Sequence, residues 1–173
     1  MRHRELTGLA KANCHTADGY LFIDPDIGAL HEIGGQMWLG PPKSDAAARR
    51  IDLPPFLVAL LDEVIDGHDH EQVFVSPTGR WLRRSNFDRR IWRPACDGDP
   101  TRDWSPVITG AVFHGLRHLH KTMLDEAGHP DVIVHERMGH QMPGIGGLYS
   151  HVTDAMRKRL TAELQRRWTE LTT

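Results

Sequence analysis

Cysteine, apolar runs and repeats are the features this sequence has little of. Only Cys14 and Cys96 are present among 173 residues, so a disulfide framework is not expected. No apolar run is long enough to span a bilayer, and the opening MRHRELTG lacks the apolar segment of a signal peptide. Internal repeats and low-complexity segments are missing as well. These absences favour a single globular domain with a cytoplasmic location.

A large charge of one sign is also lacking, because the formal net charge is only -2. The distribution is nevertheless uneven. Residues 18–71 hold eleven carboxylates against three basic side chains. Residues 80–93 hold one carboxylate against six arginines, and a local basic stripe attracts phosphate even on a slightly acidic chain. The alternative is a solvated helix face. The candidate DNA-binding residues of this stripe are Arg83, Arg84, Arg89 and Arg90.

Short apolar segments between glycine- and proline-rich turns predict strands over 20–24, 36–39 and 49–53, arranged as a small three-stranded antiparallel meander. Residues 73–75 predict a further short extended piece, and 97–111 and 141–147 predict loops. Helices are predicted for 4–12, from Pro54-Pro55 onward, 86–93, 114–127, 130–139 and 154–171. Strands followed by helices, without βαβ alternation, indicate an α+β fold that is mostly helical.

Helical spacing predicts which faces of the later helices are buried. Ser85 is predicted to cap the helix over 86–93, and Gly128 to end the helix over 114–127. The predicted apolar face of that second helix consists of Leu116, Leu119, Met123 and Ala127. The predicted apolar stripe of the last helix consists of Met156, Leu160, Leu164, Trp168 and Leu171.

Several residues have the chemistry needed to break a phosphodiester without a metal. Such a reaction needs a nucleophile, positive groups around the phosphate, and an acid for the leaving oxygen. His114 and Arg117 lie three residues apart at a helix start and therefore share one face. Arginine donates two parallel hydrogen bonds to phosphate, and histidine and lysine transfer protons. Gly139-His140 ends the next helix, and Tyr149 follows nine residues later.

In order and spacing these residues resemble the tyrosine recombinases and phage integrases. FHGLRH (113–118) is similar to the family box that carries the His-x-x-Arg pair, here His114 and Arg117. ERMGHQMPGIGGLYSHV (136–152) is similar to the segment that ends in the nucleophile, which places His140 and Tyr149. RELTGL (4–9) resembles the box after the first catalytic arginine, which falls on Arg2. PPKSDAAARRIDLP resembles the family's lysine hairpin and places Lys43.

The resemblance implies a tyrosine-recombinase-like catalytic domain over 1–173 that performs site-specific recombination on double-stranded DNA. Tyr149 would form a 3′-phosphotyrosine link, while Arg2, Arg117 and His140 stabilise the transition state. Lys43 would protonate the leaving oxygen, and His114 would assist proton movement or position the phosphate. No cofactor is implied, because the covalent link conserves the bond energy. A homo-oligomer, a tetramer on DNA, is the implied assembly.

Two alternatives remain beside this interpretation. The family's N-terminal DNA-clamping domain and the first helices of its catalytic domain have no counterpart here, so a truncated, inactive integrase remnant that acts as a DNA-binding module is the main alternative. A metal-dependent hydrolase is the other. His114 and His118 have helical i, i+4 spacing but lack the acidic partner of an HExxH motif, so no metal site is predicted.

Overall fold

The computed structural model describes residues 1–142 and 151–173. Its α-helices within those ranges are α1 (His3–Thr7), α2 (Pro55–Asp66), α3 (Arg84–Phe87), α4 (Arg93–Asp97), α5 (Phe113–Glu126), α6 (Asp131–Met138) and α7 (Asp154–Thr172). Its strands are β1 (Cys14–His15), β2 (Tyr20–Ile23), β3 (Ala29–Ile33), β4 (Gln36–Gly40) and β5 (Arg49–Asp52). Short 3-10 turns cover Lys11–Asn13, Thr16–Asp18, Asp45–Ala47 and Pro100–Arg102, and a π-helical turn covers Asp88–Trp92. The prediction of a mostly helical α+β fold with a small three-stranded antiparallel sheet is confirmed.

The strands of the three-stranded sheet are not those of the predicted meander. The observed order is β1-β2-β5, with β2 and β5 antiparallel from the pair Tyr20 and Asp52 to the pair Ile23 and Arg49. β4 belongs instead to a separate two-stranded sheet with β3, a strand that the sequence interpretation missed. The meander is therefore wrong in its pairing, although each of its three segments is a strand.

Gly34 and Gly35 explain why β3 and β4 pair with each other. Both have positive φ, at 57° and 81°, which is the backbone that a two-residue hairpin turn needs. The register follows directly, with Ile33 opposite Gln36 and Ala29 opposite Gly40. The chain leaves this hairpin at Gly40 and reaches β5 through the connection that carries Lys43.

Two apolar clusters form the core of the described chain. The first joins β2, β5 and α2 and contains Leu9, Leu21, Ile23, Ile51, Leu53, Leu61 and Val73. The second joins α5, α6 and α7 and contains Leu124, Ile133, Val134, Met138 and Leu160. At about 25 cal/mol per Å² of buried apolar surface, such clusters supply the main stabilising free energy of a domain this size. The candidate site lies where the sheet meets α6.

The buried face of α5 differs from the predicted one. Arg117 and Leu124 are the buried residues of this helix, whereas Leu116 and Leu119 are 47% and 54% exposed. Hydrophobic periodicity ranks leucine above arginine as a core residue. Arg117 nevertheless turns inward, because the carbonyl of Met138 at the end of α6 accepts its hydrogen bond. That preference rotates the helix and leaves the two leucines at the surface.

The helical segment over 84–97 begins earlier than predicted and is irregular. Its N-cap residue is Arg83, and no side chain caps it, so the predicted Ser85 cap is wrong. Arg93 donates its backbone N–H to Asp88, five residues back, in a π-helical turn. Pro94 follows immediately, has no N–H, and cannot continue the regular i to i−4 ladder.

The first and last helices also differ in extent from the predictions. α1 covers only His3–Thr7, and the rest of the predicted helix over 4–12 is replaced by a 3-10 turn at Lys11–Asn13. In α7, Leu160 is 1% exposed and Trp168 stacks on Phe56 at a centroid distance of 4.4 Å. The predicted stripe is therefore packed as far as Trp168, whereas Leu171 is 84% exposed.

Both cysteines are free thiols, Cys14 partly buried and Cys96 buried. In the two described ranges, none of the helices combines the length and the apolar character required to cross a membrane.

Candidate active site

Three arginines converge on the C-terminal end of α6. Each guanidinium donates to one of the last carbonyls there: Arg49 to Arg137, Arg117 to Met138, and Arg2 to Gly139. The final carbonyls of an α-helix have no intrahelical partner and carry the negative end of the helix dipole. Cations are therefore stabilised at this position, and side chains from β5, α5 and the residue before α1 are brought together at it.

Gly139 shapes the end of α6. Its φ of +63° is left-handed, and its N–H donates to the carbonyl of Glu136 at 3.0 Å. The next N–H, that of His140, donates to the carbonyl of His135 at 3.0 Å. These two bonds form a Schellman motif, which needs a residue tolerant of positive φ at this position. The motif turns the chain so that His140 lies beside the arginines.

Arg117 is the buried arginine of the cluster that contacts His140. Its side chain belongs to α5 and is 8% exposed. Nη2 donates to the Met138 carbonyl and lies 3.0 Å from Nε2 of His140, whereas Nη1 is buried and has no hydrogen-bond partner within 1–142 and 151–173. Burial, followed by the nearby Arg2 charge, lowers the pKa of Arg117 to about 10. The side chain is still protonated at neutral pH, and one of its donors has no acceptor in the described part of the chain.

Arg2 is held in place by Glu5. Its backbone N–H donates to Oε2 of Glu5 at 2.9 Å, and its Nη1 donates to Oε1 at 2.7 Å. Glu5 is 1% exposed and also accepts a bond from Arg49 at 3.3 Å. Burial raises the pKa of Glu5, but the Arg49 charge and the bonds from Arg2 outweigh it and hold the pKa below its usual range. The carboxylate stays ionised and fixes two guanidinium groups.

His140 is neutral in this environment. Burial and the Arg117 charge lower its pKa below the ordinary value. Because a guanidinium can only donate, Nε2 of His140 accepts from Arg117, and the ring proton is on Nδ1. The Nδ1–H is therefore the donor that this ring can offer to a ligand.

His114 lies one helical turn before Arg117 and is exposed. Its ring packs edge-on against His118 at a centroid distance of 4.9 Å. Burial lowers its pKa, and the nearby charges of His118 and Arg117 lower it further. A neutral imidazole near Arg117 is able to accept a proton.

Lys43 lies on the connection between β4 and the 3-10 turn at Asp45–Ala47. Its side chain is exposed. The structure places it outside the network at the end of α6, since its ammonium forms no hydrogen bond or ion pair with any residue of 1–142 or 151–173. Its predicted role is therefore neither supported nor opposed by a contact.

Tyr149 and most of the predicted loop over 141–147 lie outside the described residues, which resume at His151. The chain on either side is anchored. His140 belongs to the arginine cluster, and Val152 packs against the core shared by α5, α6 and α7.

The four candidate DNA-binding arginines of the basic stripe differ in their surroundings. Arg83 forms an ion pair with Glu32 at 2.9 Å and donates to the carbonyl of Gly35 at 2.7 Å, so it ties α3 to the β3–β4 hairpin. The side chains of Arg84, Arg89 and Arg90 are exposed. Arg83 thus has a structural partner, whereas the other three have guanidinium groups open to solvent.

Sequence reasoning missed two members of the cluster, Glu5 and Arg49. Arg49 is 5% exposed and shares the inward face of β5 with Ile51. The alternation of Arg49, Ile51 and Leu53 was a signal for its burial, because residues two apart share one face of a strand. A buried arginine needs a carboxylate, and Glu5 supplies it at 3.3 Å.

The arrangement is chemically a site for an anion. Arg2, Arg49 and Arg117 face one carboxylate, so the cluster has a net positive charge. The described ranges contain no group of three or more His, Cys, Asp or Glu side chains able to hold a metal ion.

Comparison with known proteins gives a family match and several structural neighbours. The model described as "Phage integrase family" matches residues 1–156. The Tn1549 transposon integrase, solved in complex with circular intermediate DNA, superposes with a TM-score of 0.68 at 17% identity over 95% of this chain and 56% of that chain. XerA recombinase superposes with a TM-score of 0.53 at 19% identity over 93% and 52% of the two chains. The chain thus spans about half the length of these solved chains. Curated protein sequences give no match.

Proposed function

Since the chain belongs to the phage integrase family, we propose that it cleaves and rejoins double-stranded DNA through a covalent link to Tyr149. The proposed outcome is site-specific recombination. Integrase–DNA complexes among the structural neighbours support DNA as the substrate.

The observation that carries this proposal is the arginine cluster at the end of α6. Arg2, Arg117 and His140 meet at one place, although they are as much as 138 positions apart in the sequence. Arg117 retains a buried donor, Nη1, with no partner among the described residues. A buried donor without an acceptor costs about 1–3 kcal/mol, and a phosphate oxygen is an acceptor that would remove this cost.

The proposed first step transfers the scissile phosphoryl group from the 5′-oxygen of DNA to the tyrosine oxygen. The phenolic oxygen of Tyr149 attacks the scissile phosphorus, and the bond from phosphorus to the 5′-oxygen breaks. The tyrosine loses its proton, and the 5′-oxygen gains one, which leaves a 3′-phosphotyrosine and a free 5′-hydroxyl. In the second step a 5′-hydroxyl of a partner strand attacks the same phosphorus and releases the tyrosine.

The side chains around the phosphate have separate proposed roles. Arg2, Arg117 and the Nδ1–H of His140 stabilise the charge that builds on the non-bridging oxygens. The neutral His114 accepts the tyrosine proton or positions the phosphate, which agrees with its lowered pKa. Lys43 donates a proton to the 5′-oxygen. This last role needs Lys43 to approach the DNA from the connection after β4, where its side chain is exposed.

We also propose that recombination takes place in a tetramer assembled on DNA. Exchange between two duplexes breaks four strands, and each covalent link occupies one tyrosine. One copy of the chain at each of the four breaks makes a tetramer. The exposed Arg84, Arg89 and Arg90 are proposed to contact the DNA backbone.

DNA binding without cleavage is the second candidate function. The exposed arginines of the basic stripe favour it independently of Tyr149, because they would neutralise phosphates in either case. It differs from the first candidate in one observable, the covalent adduct.

A nicked duplex tests the proposal. The probe is a pool of duplexes with randomised sequence around a nick, in which cleavage releases a short 5′-hydroxyl fragment and religation is prevented. We expect a covalent protein–DNA adduct on a denaturing gel with the wild-type chain. Tyr149→Phe should give none, because it lacks the nucleophilic oxygen.

Tyr20→Phe is the matched control, since Tyr20 is the other tyrosine of the chain and lies on β2. It should leave the adduct unchanged. DNA binding by the wild-type chain without any adduct would favour the second candidate and contradict the first. An adduct that persists in Tyr149→Phe would exclude Tyr149 as the nucleophile.

A further inference from the structure

Arg49 occupies an inward position on β5 that a strand normally gives to an apolar side chain. Its side chain is 3% exposed, and the next inward residue, Ile51, belongs to the main apolar cluster. Burying a guanidinium costs several kcal/mol unless its donors are paired. A buried guanidinium at this position therefore needs an acceptor for each of its nitrogen atoms.

The three nitrogen atoms of the Arg49 guanidinium bond to three separate parts of the chain. Nη1 donates to the carbonyl of Ala47 at 2.6 Å, and Nε donates to the carbonyl of Arg137 in α6 at 3.0 Å. Nη2 donates to Oε2 of Glu5 in α1 at 3.3 Å. One planar group thus joins β5, α6 and α1 at the place where the phosphate-binding cluster is assembled.

Gly139 packs directly against this guanidinium, with no room for a side chain between them. A Cβ at position 139 would lie 2.7 Å from Nη1 of Arg49 and 2.9 Å from its central carbon. The left-handed end of α6 is therefore in direct contact with Arg49, and the two residues constrain each other. His140 follows Gly139 and lies against Arg117.

We propose that Arg49 is a positioning residue for the phosphate-binding cluster, holding Glu5 and the end of α6 so that Arg2 and His140 face the same space as Arg117. The catalytic consequence rests on the proposed function. The structural role, in which Arg49 holds Glu5 and the end of α6 in place, does not depend on that function. Each of the three nitrogens of Arg49 already donates to an acceptor in the protein, so Arg49 is proposed to act through its neighbours and not on the substrate.

Lysine cannot replace arginine in this role. The planar guanidinium reaches three acceptors in fixed directions, whereas an ammonium on a flexible stem is a point charge. Arg49→Lys therefore retains the positive charge and loses the geometry. This separates the positioning effect from the electrostatic effect of the charge.

The test measures the titration of the His140 ring by NMR in the wild-type chain, Arg49→Lys and Arg50→Lys. Burial and the charges of Arg117, Arg2, His135 and Arg49, in that order, lower the pKa of His140. Arg49→Lys leaves every one of these charges in place. A pKa that rises toward its ordinary value in this variant would show that His140 has moved away from Arg117.

Arg50→Lys is the matched control because Arg50 is the exposed neighbour on the same strand and pairs with Asp52. It should leave the His140 titration unchanged. If Arg49→Lys also titrates like the wild-type chain, the proposal is overturned. Should Arg49→Lys fail to fold, the His140 titration is measured in Gly139→Ala. The added Cβ displaces the Arg49 guanidinium, while the charges of Arg49 and Arg117 both remain.

Adduct formation gives the second readout. We expect Arg49→Lys to lower the adduct rate by roughly 100-fold with DNA affinity unchanged, since small displacements of reacting groups have effects of this size. If the wild-type chain forms no adduct, the proposed function fails, and the His140 titration alone decides the role of Arg49. A full adduct rate in Arg49→Lys would contradict a role in positioning.

Discussion

Individual side chains in this protein take their protonation states from the arginines around them. Partial desolvation and neighbouring cations lower the pKa of His140 and of His114, and Arg49 and Arg2 hold Glu5 ionised. His120 is a third example. Burial and the Arg137 charge lower its pKa to about 3, and its Nε2 accepts a bond from Nε of Arg137 at 3.0 Å.

The lowered pKa of His120 predicts a loss of stability in acid. Between about pH 3 and 6.5 the unfolded chain binds a proton at this residue and the folded chain does not, so stability decreases as the pH falls. One such proton gives a slope of up to about 1.4 kcal/mol per pH unit in the free energy of unfolding. His120→Gln retains an acceptor for Arg137 and removes the titration. Urea unfolding from pH 4 to 7 should show a shallower slope in the variant, and equal slopes would contradict this account.

Lys43 gives a second prediction at this scale. Lys43→Ala should slow adduct formation by about 10²- to 10⁴-fold when the leaving group is an oxygen, because general acid catalysis is lost. A 5′-bridging sulfur substrate should restore the rate, since a thiol with a pKa of about 8.5 leaves without protonation. Lys121→Ala is the control, since this partly exposed lysine is paired with Asp125 on α5. Equal loss on both substrates would remove Lys43 from the role of acid.

Helix ends, more than helix faces, organise the site. α5 and α6 both end in a glycine with left-handed backbone, Gly128 at φ +66° and Gly139 at φ +63°. The two positions differ in what surrounds them. A Cβ at Gly128 would meet nothing within 4 Å, whereas one at Gly139 would meet Arg49.

This difference makes the two glycines a matched pair for mutation. Each glycine-to-alanine change should cost about 1–2 kcal/mol of stability from the left-handed backbone alone. Gly139→Ala should cost a further 2–3 kcal/mol or so, because it disturbs a buried, hydrogen-bonded guanidinium. Urea denaturation of both variants measures the difference. Equal losses would mean that Arg49 adapts freely and that its contact with Gly139 is unimportant.

The sequence predicted helix and strand segments well where glycine and proline mark the turns. β2, β4, β5, α5 and α6 all agree with the predictions to within a few residues. β3 was missed although the Gly34-Gly35 pair is a hairpin signal, because the sequence interpretation places its partner β4 in a meander with β2 and β5. The register of a hairpin is local, but membership of a sheet depends on distant residues.

The buried polar residues were the hardest part to predict. The sequence identifies Arg117 as a site residue but does not predict its burial, because hydrophobic periodicity counts apolar side chains only. Arg49 and Glu5 were missed for the same reason. Their burial depends on partners that lie 44 positions apart and meet only in the fold.

At the scale of the whole molecule, the segment 80–93 places Arg84, Arg89 and Arg90 at the surface although the net charge is only -2. Nonspecific binding to DNA is governed by the number of phosphates neutralised and not by the net charge. Arg83 is engaged with Glu32, so Arg89 and Arg90 provide the clearer test of the basic stripe.

Replacing both Arg89 and Arg90 by alanine should weaken binding to a duplex of random sequence. The slope of log affinity against log salt should fall in magnitude by about 1.8, because each phosphate contact contributes about 0.9. Fluorescence anisotropy between 50 and 200 mM salt, roughly, covers the range in which such contacts dominate. Arg166→Ala is the control, since that exposed arginine is paired with Glu163 and Glu170 on α7. An unchanged slope in the double variant would exclude this segment as the DNA contact.

The central claim is that Arg117, together with Arg2, neutralises the charge of the scissile phosphate. A methylphosphonate at the cleavage position removes one negative charge from that group. On the normal phosphate, Arg117→Ala should lower the adduct rate by about 10²- to 10³-fold, the usual effect of losing one transition-state donor. On the methylphosphonate the same variant should approach the wild-type rate. Equal impairment on both substrates would show that Arg117 does not compensate the phosphate charge and would contradict the account.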